Sequence, residues 1–454
     1  MVRTRSTKGC WTCKLRKKKC DEVQPNCDRC TKSGIECLGY GEKPSWIVRS
    51  SNPKGKRGSI SAPGVAIKKA GSGSETWSKD KDAELLLYYL EKVFPLQWQY
   101  YKGSNYWILP LLSRSKAMFH AVLSIAAVHM ASAKTGIDEY LQMHHELTLK
   151  ELRNTISIEK DPETNVKSLA AVVMLVSYEL FRGGYENWEV HLNAGVALMS
   201  LITDEGRECG PLYNAEIARI PENQTRLFLT ACIIWMDVSS CGIMGKACGM
   251  DSYLHRIVRS KSFVPMEELM GCKTEVFIQL NEVAKLHDWK RRLQAKNSLS
   301  VTQLIERGSH IQKTLGLALR ETAPNDPLID STTKLFALAI LVYLSGVISG
   351  FSPANPDIME AVDEAISLMR RIPQNYYRGN VFPICVFGSM CDRKYYGFFL
   401  DLFIGGAMDV SFGNTAVTLK IIQRTWELRD ANSDKRLISW FDAVEDLQLY
   451  ALLV

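Results

Sequence analysis

A mainly α-helical chain with a small cysteine-built module near its N-terminus is the fold class this sequence predicts, and three observations predict it. Apolar residues recur at helical spacing through residues 83–454, alternating strand patterns are nearly absent there, and six of the thirteen cysteines crowd into residues 10–37. At 454 residues, 46% apolar and 23% charged, the chain has enough hydrophobic material for a large core, which excludes wholesale disorder and fibrous structure. The formal charge of +7 is unevenly placed: residues 1–82 hold 19 basic and 8 acidic side chains, and the rest holds 37 against 41. A basic end and a near-neutral body imply different partners. Met1–Lys8 is basic and runs straight into the first cysteines, so no secretory leader is expected. In a reducing compartment, clustered cysteines and an odd total point to metal and away from a disulfide framework.

Three segments follow: a cysteine module over residues 8–40, a linker over 41–82 and a helical domain over 83–454. The linker holds six Gly, three Pro and eight Ser with Lys54, Lys56, Arg57, Lys68 and Lys69 and no apolar period. Such a segment cannot bury enough surface to offset its ordering entropy, and it lacks the heptads of a dimer stalk. From Asp82 the period near 3.6 sets in, as in Leu86, Leu90 and Val93, then Phe119, Leu123, Ala126 and Ala127. Further helices are predicted at about 139–158, 165–182, 189–202, 224–240, 275–297, 301–321, 331–350, 356–372, 394–405, 414–430 and 435–453, bounded by Pro, Gly, Asn and Asp. Leu335–Phe351 is uncharged for seventeen residues, marginal for a bilayer of about 30 Å, and reads as a buried core helix. Trp440–Val454 mixes acids with bulky apolar residues, the composition of activation segments, but its helical spacing favours a closing core helix.

The strongest local signal is Cys10-x2-Cys13-x6-Cys20-x6-Cys27-x2-Cys30-x6-Cys37, one unit written twice. Two residues between cysteines let both thiolates reach one ion at the start of a helical turn, and the third arrives from the strand that follows. Each half supplies three thiolates, whereas a closed tetrahedral zinc site needs four. Six sulfurs complete two sites only if two of them bridge, and the pseudo-symmetry selects Cys10 and Cys27. One zinc is then held by Cys10, Cys13, Cys20 and Cys27, the other by Cys10, Cys27, Cys30 and Cys37. Two redox CxxC pairs would belong in a βαβ context, which is missing. With every position filled by thiolate, no water site remains and the ions have a folding role, not a catalytic one.

This spacing, and the basic stretch from Cys13 to Cys20, resemble the fungal Zn2Cys6 binuclear-cluster transcription factors over about residues 8–40, with Pro25 in the loop between halves and Gly39-Tyr40 and Trp46 as a similar continuation. Between Cys13 and Cys20 stand Lys14, Arg16, Lys17, Lys18 and Lys19, whereas Thr31–Glu36 carries only Lys32 and one acid, so the first helix is the expected DNA reader. In a helix Lys14, Lys17 and Lys18 share a face and Leu15 packs inward. Lys or Arg donors match guanine O6 and N7 in the major groove. The resemblance implies a CGG-type half-site with base contacts from Arg16 and Lys17. Lys14, Lys18, Lys19 and Arg29 are left to hold phosphates and make binding salt-dependent.

In the body, Leu87–Pro95, Trp107–Leu112, Trp188 with His191-Leu192 and Ala194-Gly195, and Trp235–Asp237 are similar to the fungal-specific regulatory domain that often accompanies this module. The resemblance implies a helical domain that modulates activation. No catalytic set is visible: His144-His145 and His191 lack a metal-spaced acidic companion, and no GxSxG, HExxH or GxxxxGK[ST] occurs. Gly242, Gly245 and Gly249 lack a preceding strand and read as a loop. Cys232, Cys241, Cys248 and Cys272 read as small buried hydrophobes rather than a thiol sensor, and Trp98, Trp107, Trp188 and Trp426 as core. The expectation is a nuclear, zinc-dependent, sequence-specific activator of RNA polymerase II transcription that is not an enzyme. Its partners are double-stranded DNA and the transcription machinery, with no membrane, as a homodimer through the body or a monomer on one half-site. A DNA-targeted enzyme and a metal-buffering or protein-docking zinc module are the rival readings.

Overall fold

The computed structural model describes residues 9–10, 12–13, 18–32, 37, 39–40, 79–101, 108–131, 137–158, 162–202, 216, 220–254, 266–321, 326–406, 408, 413–431 and 437–454. It divides into two compact units, Met1–Val93 and Phe94–Val454, and among the described residues it is helical with no β-strand. In the first unit, α1 (Asp28–Lys32) carries Cys30 on its buried side. Of the linker expected over 41–82, residues 41–78 lie outside the described residues. Lys79–Asp82 already form the first turn of α2 (Lys79–Tyr88), where Asp80 and Asp82 suit the positive end of the helix dipole. A π-helical turn, Tyr89–Val93, follows.

The second unit opens with a single turn, Phe94–Gln97, then α3 (Ile108–Arg114), α4 (Lys116–Ala131), α5 (Asp138–Ile158), α6 (Pro162–Arg182), α7 (Trp188–Ile202) and α8 (Pro221–Met244). Turns at Met266–Met270 and Thr274–Phe277 lead to α9 (Gln279–Ala295), α10 (Val301–Arg320), α11 (Pro327–Ser349), α12 (Pro356–Met369), α13 (Val381–Met390), α14 (Tyr396–Ile404), α15 (Gly413–Asp430) and α16 (Trp440–Leu447). Helices α4 to α7 pack as consecutive neighbours, α9 to α13 form a second group around α11, and α8 touches α6, α7 and α9. Helix α15 packs on α6, α13 and α16.

Local chemistry explains the starts. Ser300, Asp326 and Asn355 cap α10, α11 and α12 by accepting from the backbone N–H of Gln303, Ile329 and Asp357 at 3.3, 3.3 and 3.0 Å. Pro327 and Pro356 sit in the first turn, where no donor is lost. Helix α8 ends where Gly245 adopts φ 59° and its N–H closes on the Cys241 carbonyl.

The structure departs from the sequence expectation at several places, α3 and the Met266–Met270 turn among them. Helix α13 was not expected, because all ten of its residues are buried and it has no polar face to create a period. The predicted 275–297 helix is broken into Thr274–Phe277 and α9. The closing helix ends at Leu447, where Gln448 turns left-handed (φ 53°), and Ala451–Leu453 are buried as non-helical chain, with Leu452 N–H donating to the Gly184 carbonyl at 2.8 Å. Helices Glu163–Arg182, Asn223–Met244 and Pro327–Ser349 are long and apolar enough to cross a membrane, but 78%, 83% and 72% of their apolar windows are buried inside the protein. The last of these contains the run Leu335–Phe351 up to Ser349.

Candidate metal centre and nucleic-acid interface

The two halves of the cysteine module repeat one hydrogen-bond plan seventeen residues apart. Cys13 N–H donates to Cys10 Sγ at 3.3 Å and Cys30 N–H to Cys27 Sγ at 3.3 Å. Cys10 N–H donates to Cys20 Sγ at 3.3 Å and Cys27 N–H to Cys37 Sγ at 3.4 Å. Each short helical start thus aims its backbone donors at sulfur, which favours the thiolate form. The spacing is what permits it: two intervening residues bring the third N–H back over the first sulfur.

The sulfurs converge in two sets, Cys10, Cys13, Cys20, Cys27 and Cys10, Cys27, Cys30, Cys37, each with its ligand atoms within 4.8 Å of one another. Bonds of about 2.3 Å at tetrahedral angles place zinc-bound sulfurs about 3.8 Å apart. Cys10 and Cys27, common to both sets, lie 3.6 Å apart, Cys13 and Cys27 3.7 Å, and Cys10 and Cys30 3.8 Å. Cys13 and Cys30, from opposite sets, lie 3.9 Å apart. The residues therefore fit divalent zinc, and no other described His, Cys, Asp or Glu group could hold a metal ion. Burial pushes the Cys10 and Cys30 thiols well above their ordinary range and Cys13 up to about 11. Against the same desolvation, the Tyr40 hydroxyl and the backbone N–H groups of Cys10 and Glu22 bring Cys20 down to about 7. Ionising all six at once calls for a cation among them.

Two residues that hold the module were not singled out from sequence. Asp21, next to Cys20, accepts from Val23 N–H and Asp28 N–H through Oδ1 (3.2 and 3.1 Å) and from Arg29 N–H through Oδ2 (2.7 Å). It therefore caps α1 from across the loop. The Tyr40 hydroxyl stands between Cys20 Sγ, 3.4 Å away, and the Val23 carbonyl, 2.8 Å away. Tyr40 stands in the continuation of the cysteine motif, and Asp21 follows Cys20 directly, seven residues before the helix it caps.

Of the expected DNA contacts, Lys14, Arg16 and Lys17, with Leu15, lie outside the described residues. Lys18, Lys19 and Arg29 are exposed, as phosphate contacts would have to be. Lys18 N–H closes on the Cys13 carbonyl at 3.0 Å.

In the body, His120 and His144 face each other with their Nδ1 atoms 3.0 Å apart, and the His145 ring stacks on Tyr178 at 4.3 Å. His191 finds an acid after all, the buried Glu179 on α6, at 3.8 Å. Gly242 lies inside α8, where a Cβ would collide with the Phe382 ring, and Asp237 closes the turn beyond by accepting from Gly249 and Met250 N–H at 3.1 and 2.8 Å. The glycine run is thus a helix end and a turn. Cys232, Cys241, Cys248 and Cys272 are buried, as are Trp98, Trp188 and Trp426, while Trp46 and Trp107 lie outside the described residues.

Comparison with known proteins places this geometry. Residues 8–47 match the fungal Zn(2)-Cys(6) binuclear cluster domain, and residues 84–454 match the fungal specific transcription factor domain. The trichothecene biosynthesis transcription regulator TRI10 of Trichoderma arundinaceum is 26% identical over 411 positions, covering 81% of this chain and 96% of that protein. The pestheic acid cluster transcriptional regulator 3 of Pestalotiopsis fici is 24% identical, covering 97% of each chain. The ustiloxin B cluster transcription factor ustR of Aspergillus flavus is 22% identical, covering 98% of each. No solved structure matches the chain.

Proposed function

Because the chain belongs to the fungal specific transcription factor family, zinc-binding and DNA-binding regulators that are not enzymes, we propose that it reads CGG-type half-sites through a helix between Cys13 and Cys20 held by two zinc ions. The observation that carries this reading is the pair of four-sulfur sets sharing Cys10 and Cys27. Two ions bound there supply the folding free energy that a module of about 30 residues cannot draw from an apolar core. Cys10, Cys13, Cys20, Cys27, Cys30 and Cys37 are the ligands. Arg16 and Lys17 donate to guanine in the major groove, and Lys14, Lys18, Lys19 and Arg29 hold phosphates.

In this reading residues 8–40 are the reader, 41–82 the tether and 83–454 the regulatory domain, and the protein works in the nucleus as an activator that engages the transcription machinery. The relatives named for trichothecene biosynthesis and for the pestheic acid and ustiloxin B clusters support regulation of a biosynthetic gene set. Without a linker heptad, any homodimer forms through the body. A gel-shift titration of the full chain with a CGG-bearing duplex tests the reading. A shifted band that disappears on zinc chelation and returns with zinc is expected. A band indifferent to chelation, or equal binding to a duplex with the CGG scrambled, contradicts it.

A further inference from the structure

Helices α10 and α11 leave between them a groove of about 570 Å3, lined on the α10 side by residues from Ser309 to Arg320 and on the α11 side by Leu341. That is the volume of a ligand site, but only two helices bound it, so an occupant lies along it with one side in solvent. Its apolar lining is Leu341, which is half-buried, and Leu317, which is 52% exposed. Its charged lining is Lys313 and Arg320, both exposed, and no acid lines it. These two cations stand seven residues apart on α10, about 10 Å along its axis. Among the described residues neither pairs with an acid, whereas Lys167, Lys273, Lys285 and Lys334 reach carboxylates at 3.0, 3.3, 3.1 and 2.9 Å.

Gly316, which also lines the groove, is the second pointer. Helix α10 buries Leu304, Gly308, Ile311 and Leu315, and Gly308 is there for packing: a Cβ on it would stand 2.5 Å from Ile348 Cδ1 on α11. A Cβ on Gly316 would meet nothing within 4 Å. Glycine in a helix interior is less stable than alanine, so the chain bears that cost at Gly316 with no neighbour of its own to require it. What the missing side chain leaves open is the groove.

We propose that this groove docks an acidic amphipathic helix of a partner protein, with its apolar face on Leu317 and Leu341, its backbone close to Gly316, and two of its acids on Lys313 and Arg320. A helix returns to the same face after two turns, so acids at that spacing match the two cations. The apolar face supplies the contact area, and the charges at its edge set register and choice of partner. The site uses residues of the body alone, so it stands or falls separately from the DNA reading.

Fluorescence anisotropy of the full zinc-loaded chain with a short labelled helical peptide tests it. The peptide is alanine-rich, with leucines along one face and two glutamates two turns apart beside them, and its twins carry glutamine or lysine in place of the glutamates. One glutamate peptide per chain is expected, bound about 10-fold more tightly than the glutamine twin, the worth of two exposed ion pairs, with the preference shrinking as salt rises. Lys313→Glu combined with Arg320→Glu should reverse the order, so that the lysine twin binds best. Gly316→Leu, which fills the groove, should abolish binding of all three while the melting temperature holds or rises. If that variant fails to fold, the charge reversal decides alone. No saturable binding, equal affinity for the glutamate and glutamine peptides, a glutamate preference that survives the charge reversal, or full binding by a folded Gly316→Leu chain overturns the proposal. So does a chain that is dimeric without peptide and monomeric with it, since a second copy then occupies the groove.

Discussion

In the cysteine module the core cluster is sulfur: Cys10, Cys13, Cys20, Cys27 and Cys30 gather, with Cys37 and Tyr40 packed against them. In the body, the largest fully buried side chains among the described residues include Trp440, Tyr178, Tyr343, Phe277 and Phe382, drawn from helices far apart in sequence. The module orders its chain by coordination, which fixes residue type and spacing but tolerates almost any residue between ligands. The body orders its chain by burial, which fixes volume and polarity and leaves identity open. Relatives at 22–24% identity still align with 97–98% of the chain, body included, as this division predicts.

If coordination holds the module, removing a shared sulfur must cost more than removing an unshared one. Cys10→Ser should lose both ions and, with them, a folding contribution on the order of 10 kcal/mol per zinc, whereas Cys37→Ser should weaken only one site. Circular dichroism of the two variants with metal analysis checks this, and equal losses would break the asymmetry.

If burial holds the body, its closing helix must matter without metal. Trp440 packs on Tyr343 and Phe351 and donates Nε1–H to the Gly242 carbonyl at 2.9 Å. Trp440→Ala should therefore destabilise the body by about 3–5 kcal/mol, read as a lower chemical-denaturation midpoint that chelation does not change.

Acid sharpens the contrast. Desolvation, with Arg291 and Lys290 nearby, lowers His287 to about 4, and its Nδ1 lies 2.9 Å from the Tyr343 hydroxyl. The unfolded chain takes up this proton near pH 6.5 and the folded chain only near 4, so stability is present above pH 6.5 and is lost as pH falls. By pH 5 the loss is about 2 kcal/mol. Melting at pH 7 and 5 should show it, and His287→Gln should flatten the dependence.

The smallest effects separate reading from holding. Lys17→Ala should weaken specific binding by about 1–3 kcal/mol and relax selectivity at the guanine, while Lys19→Ala should reduce the salt slope by about 1. Titrations on matched and mismatched duplexes at two salt concentrations distinguish them.

How far each region could be read from sequence follows from the same division. The six converging cysteines were legible because zinc would demand cysteine at fixed intervals, and α10 and α12 were legible because Ser300 and Asn355 cap them and they have one apolar face. Helix α13 was not, because burial on every side leaves no period. Neither was the Glu179–His191 pair, since it is assembled by tertiary folding from residues whose neighbours in sequence say nothing of it.

The central claim is that two metal ions share the sulfurs of Cys10 and Cys27. Native mass spectrometry of the full chain, purified in zinc, counts them directly. The account predicts a mass increment of two zinc ions per chain, falling to none on acidification; an increment of one, or none at neutral pH, contradicts it.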